Sequence, residues 1–298
     1  MRMALGALEA GGTKMVCSIG DEHGRLWTRE TFPTTTPAET IPLLIDFFRR
    51  HPVEALGIGS FGPLDLRPDS PTYGYITSTP KLAWVQCPLL PTLAEALGVP
   101  VGLDTDVNAA ALAEHALGAA RGLSGCLYIT VGTGIGGGLV VEGRMVHGLL
   151  HPELGHIWLR PHPDDPAPHG FCPYPDGCLE GMASGPALQK RWGRPACELE
   201  ASHPAWTLEA HYLAQMCMTA IVAFSPEKII LGGGVMQQAH LFPRIRAEVR
   251  RMLGGYVRHR AVEADIDQYI VPPGLGADSG ATGALLLAAR AAGGNSPG

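Results

Sequence analysis

No stretch of this chain offers the ~18 uninterrupted apolar residues that a membrane-spanning helix needs, so no membrane partner is expected. An excess of positive charge is missing as well. The formal net charge is −6, which argues against a nucleic-acid footprint and predicts no nucleic-acid partner. The seven cysteines cannot pair evenly, and Cys17, Cys87, Cys126, Cys197 and Cys217 stand in apolar or mixed stretches that suit small buried hydrophobes. The chain start runs straight into the strand-like Met3-Ala-Leu-Gly-Ala-Leu8 with no separate apolar segment, so a secretory leader is not expected and the cytoplasm is the default compartment. Charged residues make up only 17% of the 298 against 46% hydrophobic, a balance suited to one large or two ordinary compact domains.

What the chain has in quantity is glycine, 39 in all, and it falls at particular places. Three glycine-rich turns follow strand-like apolar runs: Glu9-Ala-Gly-Gly-Thr-Lys14, Thr130-Val-Gly-Thr-Gly-Ile-Gly-Gly-Gly138 and Leu231-Gly-Gly-Gly-Val235. Around them the pattern alternates. Met3–Leu8, Met15–Ile19 and Leu26–Phe32 read as a meander of strands, and Pro37–Arg50 has one-face helical spacing at Ile41, Leu44, Ile45 and Phe48. Strands are predicted at Ala55–Gly59 and Val99–Leu103, followed by an alanine-rich helix over Ala109–Ala120. The logic repeats with Cys126–Val131, Gly138–Val141, a helix over Leu208–Phe224, Lys228–Leu231, an amphipathic helix over Leu241–Leu253, Tyr269–Val271 and a last helix over Ser279–Ala292. Gly293–Gly298 reads as a frayed tail. This is α/β alternation in two lobes, 1–118 and 119–279, with the C-terminal helix (280–298) expected to return to the first lobe.

Glycine lets backbone approach a ligand closely, and Thr13 and Thr133 add hydroxyl donors. Gly11-Gly-Thr-Lys14 is not a P-loop, and on its own an ordinary hairpin turn explains it equally well. Five glycines at positions 132, 134, 136, 137 and 138 would weaken a structural sheet, so access to phosphates is the better explanation there. Gly132 to Gly137 also matches the dinucleotide fingerprint literally, but strand-like residues follow instead of a helix. Asp106 stands between a strand and a helix, where aspartate most often caps. Its place between phosphate-type turns favours a general base that takes a proton from a hydroxyl attacking a γ-phosphoryl group. His151-Pro-Glu-Leu-Gly-His156 and Cys172-Pro-Tyr-Pro-Asp-Gly-Cys178 hold thiols and imidazoles suited to zinc, with His162 and His169 as further candidate ligands and Glu153 and Glu180 flanking.

Taken together, these motifs resemble a bacterial sugar kinase of the ROK (repressor, open reading frame, kinase) family, and within it the fructokinases. The resemblance also rests on Gly57-Ile-Gly-Ser-Phe-Gly-Pro63, Tyr73-Gly-Tyr-Ile-Thr-Ser-Thr-Pro-Lys81, Thr105-Asp-Val-Asn108, Cys178-Leu-Glu-Gly181 and Gly232-Gly-Gly-Val-Met-Gln237. It implies two ribonuclease-H-like lobes of the sugar kinase/actin/Hsp70 superfamily around a central cleft, closing on a hexose. It assigns ATP phosphates to Gly11, Gly12, Thr13, Lys14, Gly132, Thr133 and Gly134, and the adenosine region to Gly232, Gly233, Gly234 and Val235, with Pro186 lining the nucleotide site. Asp106 matches the catalytic base. Thr105, Asp106, Glu153, His156 and Glu180 match sugar-contacting positions, and His156, Cys172 and Cys178 match zinc ligands. Mg²⁺ would bridge the ATP β- and γ-phosphates, and a homodimer is implied. One departure stands out: Pro175 occupies the place of a family histidine in the 151–181 segment, so the expected Zn²⁺ needs a substituted fourth ligand.

The implied activity is ATP-dependent phosphorylation of D-fructose at its 6-hydroxyl, with a preference for mannose or glucose as the alternative. A sugar-sensing regulator of the same family would carry a helix-turn-helix before the first glycine turn, and here that turn begins at Glu9. A zinc hydrolase built on the Cys/His segment would leave the three glycine turns unexplained.

Overall fold

The computed structural model describes residues 3–293, which fall into two compact units. The first comprises 3–118, 144–152 and 277–293, and the second 119–143 and 153–276. The part of the expected C-terminal helix and tail at 294–298 lies outside the described residues.

In the first unit, strands β1 (Leu5–Ala10), β2 (Lys14–Gly20), β3 (Leu26–Pro33), β4 (Ala55–Ser60) and β5 (Val101–Thr105) form one sheet in the order β3-β2-β1-β4-β5. The β1–β2 and β2–β3 pairs are antiparallel, whereas β4 is parallel to both β1 and β5. Period-two alternation divides β1 between two cores. Leu8 and Ala10 pack with helix α1 (Pro37–Arg50) and helix α2 (Leu89–Leu97), through Leu44, Phe47, Phe48 and Leu93. Leu5 and Ala7 pack with Ala284, Leu285 and Ala288 of the C-terminal helix. Helix α1 starts where its chemistry dictates, with a capping box between Thr36 and Glu39 and Pro37 in the first turn. Helix α3 (Asp106–Ala116) begins three residues before the alanine run and leads directly out of β5. Its Ala109 and Leu112 pack with Leu287 and with Met145 of the short strand β8 (Arg144–Met145), which lies in this unit.

The second unit carries β6 (Cys126–Val131), β7 (Ile135–Val141), β9 (Ile229–Gly232) and β10 (Ile270–Val271), in the order β10-β9-β6-β7. Only the β6–β7 pair is antiparallel. Around this sheet lie α4 (Leu179–Ala183), α5 (Gly185–Trp192), the long α6 (Ala205–Phe224), α7 (Leu241–Leu253), α8 (Arg260–Glu263) and α9 (Ile266–Tyr269). Gly136, Gly137 and Gly138, expected to expose backbone to a phosphate, are strand residues paired with Thr130, Ile129 and Tyr128. At Gly137 the reason is packing, since a Cβ there would meet Leu154 Cδ1 at 2.7 Å.

Helix α10 (Ser279–Ala292) lies on the first sheet at a distance that leaves no room for a side chain beneath it. A Cβ on Gly57 of β4 would stand 1.8 Å from the Ala284 carbonyl oxygen. Gly57→Ala should therefore lower stability by about 1–3 kcal/mol, the usual cost of overpacking, read as a reduced urea midpoint at unchanged slope. A wild-type midpoint would mean that α10 is not seated on β4 as described.

Candidate functional site

Each unit gathers its own set of the sequence-predicted residues. In the first, Gly11, Gly12, Thr13 and Lys14 form the β1–β2 hairpin turn, closed by the Gly11 amide donating to the Lys14 carbonyl at 3.1 Å. A Cβ on Gly11 would lie 2.6 Å from that same oxygen, so the tight turn requires glycine. The chain after β3 braces it: Thr34 donates its amide to Thr13 O at 3.1 Å and its hydroxyl to Gly11 O at 2.7 Å.

At the end of β5 the capping role falls to Thr105, not Asp106. The Thr105 Oγ1 accepts from the Asn108 amide at 3.1 Å, and Asp106 is the first helical residue. The Asp106 carboxylate keeps one local bond, accepting from the Val107 amide at 2.9 Å. Its carboxyl end is enclosed although the residue keeps some exposed surface, and burial pushes its pKa from 3.8 up to about 6 against the opposing pull of backbone amides. Glu9, at the end of β1, is pushed up to about 7. Burial is the chief cause, Asp106 and Asp278 add to it, and Arg29 and Lys14 oppose it, Arg29 foremost. The sequence reading missed Glu9 as a partner of Asp106, and it also missed the support beneath the turn. Buried Asp104 accepts from the Thr105 amide at 2.8 Å and from Asn108 Nδ2 at 2.7 Å, and its other oxygen meets His147 Nε2 at 2.9 Å. The bond to Asp104 raises the His147 pKa, whereas burial lowers that of His151, whose Nε2 accepts from the Leu64 amide at 3.0 Å. The only sequence signal for this network was the run of polar residues closing β5.

The second unit assembles around Ile135, the first residue of β7. Gly132, Thr133 and Gly134 form the β6–β7 turn, closed from the Gly132 amide to the Gly134 carbonyl at 2.9 Å. Glu180 of α4 accepts from the Ile135 amide at 2.9 Å, and a Cβ on Gly134 would come within 2.6 Å of the same carboxylate oxygen. Its visible engagement is thus with the glycine turn. Gly155 approaches the Ile135 carbonyl so closely that a Cβ would sit 1.8 Å from the oxygen, which seats the segment carrying Glu153 and His156 against the start of β7. Pro186 stands in the first turn of α5, and the adjoining Gly185 amide donates to Gly132 O at 2.8 Å. The third turn, Gly232 to Val235, passes next to the second. Gly233 takes φ +91 against Val131, and the Gly234 amide would lie 4.0 Å from a Cβ on Gly132.

His156, Cys172 and Cys178 converge, with His156 Nδ1 lying 3.6 Å from Cys178 Sγ and 3.9 Å from Cys172 Sγ. Tetrahedral zinc with ordinary bond lengths places such N and S atoms about 3.5 Å apart, so the donor set fits the metal. Both sulfurs accept backbone amides, from Gly181 and Tyr174. The two further candidates are elsewhere. His169 pairs with Asp176 at 2.9 Å and His162 stacks edge-on against His211, and neither joins the three donors among the described residues.

The raised Asp106 pKa has a consequence for stability. The fold disfavours the charged carboxylate, so this group's contribution is fully present below the ordinary value of 3.8 and is lost as the pH rises through about 6. Asp106→Asn should therefore resist urea better than the parent chain at pH 7.5, with the difference closing toward pH 4. Equal midpoints at both pH values would show that burial does not shift the group.

A model of the ROK family matches residues 5–291, and the chain belongs to that family. It is 50% identical over 287 residues to a Bacillus subtilis (strain 168) protein, covering 96% of both chains. It is 46% identical over 289 residues to a fructokinase of Pediococcus pentosaceus, covering 97% of this chain and 99% of the relative. Among solved structures, a ROK family glucokinase from Streptomyces griseus in complex with glucose and AMPPNP aligns with a TM-score of 0.76 and 26% identity, over 96% of this chain and 99% of that one.

Proposed function

We propose that this ROK-family chain transfers the γ-phosphoryl group of ATP to the 6-hydroxyl of D-fructose. The observation that carries the reading is the Asp106 carboxyl: enclosed, titrating near 6, and relieved of capping by Thr105 in the same unit as the first glycine turn. The near full-length 46% identity to a fructokinase supports fructose as the acceptor, and AMPPNP in the Streptomyces relative supports ATP as the donor.

In this mechanism Asp106 takes the proton of the 6-hydroxyl while that oxygen bonds to the γ-phosphorus. The bond from phosphorus to the β,γ-bridging oxygen breaks, and ADP leaves with the electron pair. The turns Gly11–Lys14 and Gly132–Gly134 hold the phosphates through the amides of Gly12, Thr13 and Gly134, the Thr133 hydroxyl and Lys14, while the Gly11 and Gly132 amides close the turns. Mg²⁺ entering with ATP would neutralise charge on the phosphates. Pro186 and Gly232 to Val235 receive the adenosine. Thr105, Glu153, His156 and Glu180 are assigned to the sugar, and the Glu180 bond to the Ile135 amide links sugar recognition to the phosphate turn. A base must be ionised to act, so kcat/KM should fall as the pH drops below about 6. The chain acts in this reading as a cytoplasmic homodimer.

A coupled assay with ATP and fructose, mannose or glucose tests the reading. Fructose should give the highest kcat/KM, and a higher value for either other hexose would reassign the acceptor. Asp106→Asn should bind ADP as the parent does yet turn over about 10²–10⁴-fold more slowly, the usual contribution of a placed acid–base group. Turnover at the parent rate would remove Asp106 as the base.

We also assign a structural Zn²⁺ to His156, Cys172 and Cys178, with water as the fourth ligand because Pro175 cannot ligate and His169 is held by Asp176. Metal analysis of protein purified without chelators should find about one zinc per chain, and Cys172→Ser should lose it together with thermal stability. Protein with no zinc at neutral pH would refute the assignment.

A further inference from the structure

Lys81 has no role in the assignments above, yet it is the residue that overhangs the first glycine turn. A Cβ built on Gly12 would meet one atom within 4 Å, Lys81 Cε at 3.1 Å, so the ammonium end of this side chain lies beside the turn because Gly12 has no side chain. The lysine is half-buried, and among the described residues its ammonium has no carboxylate partner. A long side chain drawn over backbone without an ion pair to hold it is a cation available for a ligand.

The segment bearing Lys81 is fastened to the chain after β3 that braces the turn. The Lys81 amide donates to Thr79 Oγ1 at 3.3 Å, and its carbonyl accepts from the Trp84 amide at 2.8 Å. Trp84 is fully buried, its ring edge-on to Phe61 at 5.9 Å, and its indole N–H donates to Thr35 O at 2.8 Å. Thr34, one residue earlier, carries the two bonds to Gly11 and Thr13 described above. The root of Lys81 and the phosphate-type turn therefore share one rigid anchor, while the butyl stem and ammonium can move. The charges that act on Glu9 are those of Arg29, Asp106, Asp278 and Lys14, so Lys81 is not committed to neutralising that acid.

We infer that Lys81 is a further catalytic residue, its ammonium contacting the γ-phosphoryl group in transit and stabilising charge on the equatorial oxygens as the bond to ADP breaks. The inference rests on the kinase reading above. A compact ammonium on a flexible stem suits a group that moves between donor and acceptor oxygens, whereas the turn amides are fixed on the donor side.

The test uses Lys81→Met, which keeps the stem and removes the charge, and Lys81→Arg, which keeps the charge, each checked for parent-like thermal unfolding. Steady-state kinetics with ATP and fructose are measured beside the affinities for ADP alone and for ADP with aluminium fluoride, a mimic of the phosphoryl group in flight. Lys81→Met should lower kcat about 10²–10³-fold, as loss of one charge-stabilising donor does, with the KM for ATP little changed. Its affinity for ADP should match the parent, its affinity for ADP–aluminium fluoride should be lost, and Lys81→Arg should recover part of the rate. Parent-like kcat in Lys81→Met would overturn the inference, and so would a raised KM with kcat intact or an equal loss of both affinities. An unsubstituted chain that transfers no phosphoryl group to any hexose would overturn the kinase reading and this role with it, a result distinct from an active parent with an indifferent Lys81.

Discussion

Main chain must touch main chain at several points in this molecule, and each contact leaves no space for a Cβ. Gly57 lies under the Ala284 carbonyl, Gly283 against Ala109, Gly155 against Ile135 and Gly233 against Val131. The first lets α10 pack down on β4, and the second lets it pack against α3, the helix that opens with Asp106. The last two hold the zinc-type segment and the third glycine turn against the second. The abundance of glycine thus serves two purposes. Some glycines close tight turns, and others bring the elements that carry those turns close together within each unit.

That distinction marks where the sequence was legible. Helix α1 was readable to its ends because its limits are set locally, by a capping box, an early proline and one-face periodicity. Strand β6 and helix α7 were equally plain, since uninterrupted β-formers and an amphipathic stripe need no distant partner to be recognised. Helix α2 went unread because a proline-flanked segment of nine residues carries too little periodicity. The packing role of Gly137 is hidden from the sequence for a related reason: the side chain that makes glycine useful there belongs to Leu154, seventeen residues away.

The site divides the same way. Asp106 could be singled out from the sequence, but whether it caps the helix depends on the competing hydroxyl of Thr105, which only the backbone geometry decides. Glu9, Asp104, His147 and Lys81 gain their meaning from partners dozens of residues away, and no local pattern announces them. Glu9 and Asp106 form an acidic pair whose charged forms the fold disfavours, next to the turn assigned to phosphates. Asp106, pushed up to about 6, is mostly ionised at neutral pH and more basic than an ordinary aspartate, a property that proton abstraction needs and that a merely structural hairpin would not.

The seating of α10 on β1 and β4 also governs when the molecule can be completed. The Leu5–Ala7 face of β1 and the Gly57 strip of β4 are covered by residues 279–292, which are the last part of the described chain to be synthesised. During translation the first unit has its strands and its α1 side early, but the opposite face stays bare until the whole second unit has been made. The first unit therefore matures after the second, although it holds the N-terminus. A nascent chain stalled before residue 279 would expose an apolar sheet face to chaperones.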